Sequence, residues 1–181
     1  LYGGTYNLLA NTLPRFGITT TFVDPDDPNE FSKAVKSNTR AFFAESLGNP
    51  KLDVIDLKAI SDAAKKAKVP FVVDNTVASP ALLNPIEHGA NIVIHSLTKY
   101  LTGNGTSIGG VIIDAGTFNW GNGNYPEFTE PNPSYHGLNY HDALGNIAFI
   151  AKVRIEGLRD LGSAPSPFNS FQTIQGIETL D

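Results

Sequence analysis

The sequence predicts an α/β protein built on a mainly parallel sheet. Three observations carry that expectation. Apolar β-branched runs alternate with stretches of helical periodicity along most of the first hundred residues. Two of those runs, Pro70–Val73 and Ile92–Ile94, are short and wholly apolar, as strands covered on both faces are. Each then passes directly into polar residues, Asp74-Asn75 in one case and Ser96, Thr98 and Lys99 in the other.

Taken in order, Leu1–Gly4 reads as a turn and Thr5 as a helix N-cap. Leu8, Leu9, Leu13 and Phe16 follow at helical spacing, with Pro14 bending or ending the helix and Gly17 closing it. Ile18–Val23 is β-branched and predicts a strand. Asp24–Asn29 is a turn, and Asp27 or Asn29 can cap a short helix through Phe31 and Val35. Thr39–Ala44 predicts the next strand, ending in Glu45-Ser46-Leu47-Gly48-Asn49-Pro50. Ile55–Ala67 is the clearest amphipathic helix, with Leu57, Ile60, Ala63, Ala64 and Ala67 on one stripe and lysines in its last turn. After the Asp74 strand, Leu82–His88 reads as a short helix stopped by Gly89.

Gly109–Ile113 predicts one more strand, antiparallel because the connection before it is short. Thr117–His136 is rich in aromatics yet broken by Gly and Pro. It predicts a long ordered loop that serves function or packs on a partner. Asp142–Leu161 reads as a long helix, and Phe168–Leu180 as a last one after the break Ala164-Pro165-Ser166-Pro167.

Composition narrows the function. The 181 residues are 41% hydrophobic and 17% charged, which is globular material. A net charge of −5 and the lack of any basic run argue against a nucleic-acid surface. No apolar stretch has the length of a transmembrane helix. There is no cysteine, hence no disulfide framework and no thiolate metal site, which fits the cytoplasm. There is also no methionine, and the opening Leu-Tyr-Gly-Gly-Thr-Tyr reads as the middle of a fold, so the chain is expected to be an internal piece of a longer polypeptide.

In open α/β sheets, ligands bind beyond the carboxyl ends of the strands. Asp74 and Lys99 both sit at such ends, about 25 residues apart, the length of one crossover with its helix. The spacing predicts neighbouring strands and a shared edge. A lone lysine at a strand end is most often solvated, and an acid before Asn75 is most often a turn or cap residue. Acid, amine and two hydroxyls together are what a pyridoxal phosphate site requires: a lysine for the Schiff base, an acid for the pyridine nitrogen and donors for the phosphate. Tyr2, beside Gly3 and Gly4, is a candidate to stack on a planar ring. Asn49 is a candidate for a ligand edge. His88, His95, His136 and His141 show no metal spacing and read as structural.

Four motifs then come in order: Leu1-Tyr2-Gly3-Gly4-Thr5-Tyr6, Glu45-Ser46-x-x-Asn49-Pro50, Val72-Val73-Asp74-Asn75-Thr76 and His95-Ser96-x-Thr98-Lys99-Tyr100. Together they resemble the pyridoxal-phosphate enzymes of cysteine and methionine metabolism, over essentially the whole chain. Phe118-Asn119-Trp120-Gly121, Pro126–Pro131 and Pro133–Gly137 form an insertion similar to that of the family's sulfhydrylase branch.

The resemblance implies a three-layer, fold type I (aspartate aminotransferase-like) large domain, with residues 1–181 an incomplete cofactor-binding domain. The family's phosphate loop and N-terminal arm would lie before Leu1, and its small domain after Asp181. The implied cofactor is pyridoxal 5'-phosphate. Lys99 would carry it and shuttle protons, Asp74 would pair with its ring nitrogen, Ser96 and Thr98 would hold its phosphate, Tyr2 would stack and exchange a proton, and Asn49 would touch cofactor or substrate. The implied reaction is γ-replacement on O-acetylhomoserine by sulfide or methanethiol, in a cytoplasmic homo-oligomer made of dimers of dimers. The rivals are a cystathionine synthase or γ-lyase of the same family, and a non-catalytic α/β module.

Overall fold

The computed structural model describes residues 1–180. The chain divides into two compact units, Leu1–Ala90 and a second from Asn91 onward.

The first unit opens with α1 (Gly3–Asn7), which runs on through a π-helical stretch Leu8–Thr12 into a 3-10 turn Leu13–Phe16. Thr5 is therefore inside the helix rather than its cap. Tyr2 is the N-cap, and its side chain makes no capping bond. Pro14 falls at the start of the 3-10 turn, where its missing N–H costs nothing, and Gly17 closes the turn with φ +78°.

Ile18–Val23 does not form a strand. The β-branched residues are right for one, but a strand is stabilised by its neighbour, and none is in place. A cavity of about 660 Å³ lies between this stretch and Phe42, Phe43 and Ala44. Phe22 instead leans on Tyr6, ring centroids 5.1 Å apart. α2 (Pro28–Lys33) follows, capped by Asp27, which accepts from Asn29 N at 3.0 Å.

β1 (Phe42–Glu45) and β2 (Phe71–Asp74) pair in parallel with Phe42 opposite Phe71 and Glu45 opposite Asp74. Both strands begin later than predicted, and both end on an acid. α3 (Leu57–Ala67) joins them, capped by Asp56 through Ala59 N, and Lys68 ends it in the left-handed region at φ +58°. Its Ile60 and Ala64 are buried with Phe31, Phe42, Phe71, Val69 and Val73 in the core of this unit. Phe31 and Phe42 are 5.3 Å apart. The helix predicted for Leu82–His88 is two pieces, α4 (Ser79–Leu82) and a 3-10 turn Pro85–His88 that Gly89 stops.

In the second unit, β3 (Ile92–Ser96) pairs antiparallel with β4 (Gly110–Asp114), Ser96 opposite Gly110, as the short connection required. A turn Leu97–Leu101 leaves β3. The aromatic segment is ordered and holds α5 (Pro126–Thr129). Trp120 stacks between Phe128 (4.5 Å) and Phe149 (5.0 Å), with Tyr125 edge-on at 5.1 Å, so the segment packs on its own unit's helix.

The long helix predicted from Asp142 is interrupted. α6 (Tyr140–Leu144) ends at Gly145, whose φ of +53° only glycine adopts readily. α7 (Ala148–Lys152) then continues through a π-helical stretch Val153–Leu158 to α8 (Arg159–Leu161). α9 (Pro167–Ile177) lies against the loop after Leu101: Thr102 and Thr173 hydroxyls meet at 3.0 Å, and Asn169 Nδ2 donates to Ile108 O at 2.9 Å.

Candidate functional site

Unit one gathers its predicted residues at the carboxyl ends of β1 and β2. Asp74 is half-buried at the end of β2. Its Oδ1 accepts from Thr76 N at 2.9 Å and from Thr76 Oγ1 at 2.5 Å, so the residue's own turn fixes the carboxylate while Oδ2 stays outside those bonds. Beside it, Glu45 at the end of β1 is only 7% exposed. Glu45 Oε1 accepts from Tyr2 N at 2.7 Å, and its Oε2 from Asn49 N at 3.1 Å. Tyr2 is 49% exposed, its ring lying along the backbone of Gly4, where a Cβ would come within 2.8 Å of the ring. Asn49 precedes Pro50 through a cis peptide.

Beneath these residues runs a buried polar clip. Ser46 Oγ donates to Asn75 Oδ1 at 2.6 Å, and Ser46 N to Asp74 O at 3.0 Å. Asn75 Nδ2 donates to Ser79 O at 3.1 Å and to Leu83 O at 2.8 Å. Asn75 is fully buried. Residue type and spacing alone point to no role for Glu45, Ser46, Asn75 or Thr76. Glu45 binds Tyr2 across 43 positions and Ser46 binds Asn75 across 29, pairs that spacing does not reveal. The available signal was that all four stand at or just past the end of an apolar strand.

Unit two holds Ser96, Thr98 and Lys99. Ser96 is the last residue of β3, and Thr98 and Lys99 lie in the turn that follows. Thr98 Oγ1 accepts from Gly109 N at 3.2 Å, and Leu97 N donates to Gly109 O at 2.9 Å, so the turn is stapled to the start of β4. A Cβ at Gly109 would meet Leu97 at 3.3 Å. Lys99 departs from helical geometry, at φ −100° and ψ −125°, and its side chain is exposed. A pinned Thr98 hydroxyl, with Ser96 before it and an exposed lysine after it, suits a phosphate and a carbonyl.

The first unit carries an acid at a strand end and the second an amine with hydroxyls, residue types that α/β cofactor-binding proteins use. The chain belongs to the Cys/Met metabolism PLP-dependent enzyme family, whose profile matches residues 1–181. It is 60% identical to the O-acetyl-L-homoserine sulfhydrylase of Leptospira meyeri and 49% identical to the homocysteine synthase of Schizosaccharomyces pombe, in each case over 99% of this chain. It covers 42% and 43% of those proteins, so it spans under half their length.

Among solved structures, a putative O-acetylhomoserine (thiol)-lyase from Campylobacter jejuni matches with a TM-score of 0.95 at 43% identity, over 99% of this chain and 45% of that one. That structure carries N'-pyridoxyl-lysine-5'-monophosphate. An O-acetylhomoserine sulfhydrylase from Wolinella succinogenes matches with a TM-score of 0.81 at 37% identity, over 99% of this chain and 48% of that one. The fold is therefore the α/β, mainly parallel type I fold of PLP-dependent transferases that the sequence predicted. The family's cofactor is pyridoxal 5'-phosphate.

Proposed function

We propose that this chain carries the cofactor site of an O-acetylhomoserine sulfhydrylase, within the large cofactor-binding domain. The reaction is γ-replacement: acetate leaves Cγ of O-acetylhomoserine and sulfide or methanethiol takes its place, giving homocysteine or methionine. The observation that carries the reading is the turn after β3, where Lys99 is exposed directly beyond a hydroxyl pinned to Gly109. The 60% identity to a sulfhydrylase supports the choice of reaction.

The residues present fit the cofactor. Lys99 supplies the amine for its aldehyde, Ser96 and Thr98 supply hydroxyls for its phosphate, and Asp74 offers Oδ2 to a protonated ring nitrogen. When bound, the ring supplies an electron sink that lets Cα of an amino acid lose its proton. Lys99 would then serve as the base at Cα. Thr76 holds Asp74 through Oδ1, which would leave Oδ2 for the ring nitrogen. Tyr2 would stack on the ring and exchange a proton at its phenol oxygen. Asn49 would contact the cofactor or substrate edge. A cytoplasmic homo-oligomer built of dimers is the setting that the resemblance implies.

The protein expressed from its complete gene tests this. It should convert O-acetylhomoserine and sulfide to homocysteine and acetate faster than it degrades methionine or cysteine. Preference for methionine or cysteine in the absence of sulfide would make it a lyase instead.

A further inference from the structure

We infer that Glu45 is the positioning residue of this site, holding Tyr2 and Asn49 in place beside Asp74. The inference rests on the functional reading above and assigns a residue which that reading leaves without a task.

Glu45, Tyr2, Asn49 and Asp74 all lie in the first unit. Glu45 and Asp74 are register partners at the ends of parallel strands, so their side chains rise from the same face of the sheet. Asp74 satisfies its Oδ1 within its own turn, through Thr76. Glu45 does not: it accepts from two distant segments, Tyr2 N at 2.7 Å and Asn49 N at 3.1 Å, one with each oxygen. A carboxylate buried to 7% exposure needs such donors, and backbone N–H groups held by an anionic acceptor are among the stronger bonds a protein makes. The two donors belong to the residues that the site reading places against the ring and at the ligand edge.

Tyr2 has no capping bond of its own at the start of α1, and its ring is otherwise half exposed. Glu45 ties the start of α1 to the end of β1 through Tyr2 N. It also ties the Gly48–Pro50 turn to the same strand end. Gly48 sits there because a Cβ would collide with Asp53. An aliphatic residue at position 45 would fill the space and release both segments.

The test uses the protein from its complete gene, with Glu45→Ala, Glu45→Gln and a Tyr2→Ala/Asn49→Ala background. The readouts are the dissociation constant for pyridoxal phosphate, the visible circular dichroism of the bound chromophore and the thermal midpoint. Glu45→Ala should weaken cofactor binding by about tenfold, the size of one lost charge-assisted bond, and change the visible dichroism. Glu45→Gln should recover part of both, since its carbonyl oxygen still accepts one N–H. In the Tyr2→Ala/Asn49→Ala background, Glu45→Ala should change affinity by less than about twofold, because the groups it positions are gone.

Affinity and dichroism within about twofold of wild type in Glu45→Ala would overturn the assignment, as would an equal loss in both backgrounds. If Glu45→Ala fails to fold, wild-type affinity and dichroism in Glu45→Gln with Glu45→Asp would overturn it equally. Borohydride labelling of Lys99 in the wild-type protein separates the two levels. Label with an unaffected Glu45→Ala rejects Glu45 alone. No label rejects the site reading and Glu45's role with it.

Discussion

Asn75 is the buried joint between the two strand ends of the first unit, and Asn75→Asp isolates what its donors contribute. The substitution keeps the size and keeps an acceptor for Ser46 Oγ at Oδ1, now 2.6 Å away. It removes two donor bonds, to Ser79 O at 3.1 Å and Leu83 O at 2.8 Å. Those bonds contribute about 1 kcal/mol each. Ser79 O keeps a second donor, Leu83 N at 3.2 Å, so the unsatisfied-group penalty falls on Leu83 O, at about 1–3 kcal/mol.

The expected loss is about 3–5 kcal/mol at neutral pH, a large part of a typical domain's stability. Ser79, at φ +60°, sits where a non-glycine residue is held only by its surroundings, so α4 should loosen with it. Burial raises the pKa of the introduced carboxyl in the folded state. The protonated form can donate once more, so the deficit should be smallest in acid and grow as pH rises above the unfolded value of about 3.9. Urea denaturation of wild type and variant at several pH values measures this. A variant within about 0.5 kcal/mol of wild type at neutral pH would refute the reasoning.

Two further substitutions probe the second unit. At Gly176 a Cβ would collide with Thr102 O, so Gly176→Ala must lift α9 from the loop that follows Lys99, cost about 1–3 kcal/mol and speed proteolysis between 103 and 110; an unchanged urea midpoint and cleavage rate would contradict this. Glu156 accepts from Asn132 at 2.5 Å, Lys152 at 2.7 Å and Tyr140 at 3.2 Å. Burial pushes its carboxyl up, but the bond from Lys152 and those from Tyr140 and Asn132 hold it below the ordinary carboxylate range. A lowered folded pKa stabilises above the unfolded value of about 4.3 and ceases to as pH falls through the folded one. Glu156→Gln should therefore lower the thermal midpoint at neutral pH, and the gap to wild type should close as pH falls through the lowered folded value, read by the fluorescence of the single Trp120. Equal midpoints at neutral pH would remove Glu156 from the account.

Strand ends were the most legible feature of this chain. β1 to β4 were all foreseen within a few residues, because a short apolar run followed by an acid or hydroxyl needs no distant information. Asp27, Gly17 and Gly89 punctuate the helices as read, since caps and left-handed turns are local chemistry. Ile18–Val23 shows the opposite case. Its composition marks a strand, yet pairing depends on what lies alongside, and there the structure has a cavity. Gly145 broke a helix whose apolar periodicity ran straight across it. In the site, Lys99, Asp74, Ser96 and Thr98 were visible as residue types at strand ends. Glu45 and Asn75 were not, because their role lies in bonds to Tyr2, Asn49, Ser46 and Leu83 that only the folded chain brings about.

The central claim is that Lys99 is the amine that carries the cofactor. Borohydride reduction of the protein from its complete gene, followed by peptide mapping, reads that directly. The account predicts a pyridoxyl phosphate mass on the peptide containing Lys99, lost in Lys99→Ala. A label on another lysine, or none on a protein saturated with pyridoxal phosphate, would contradict it.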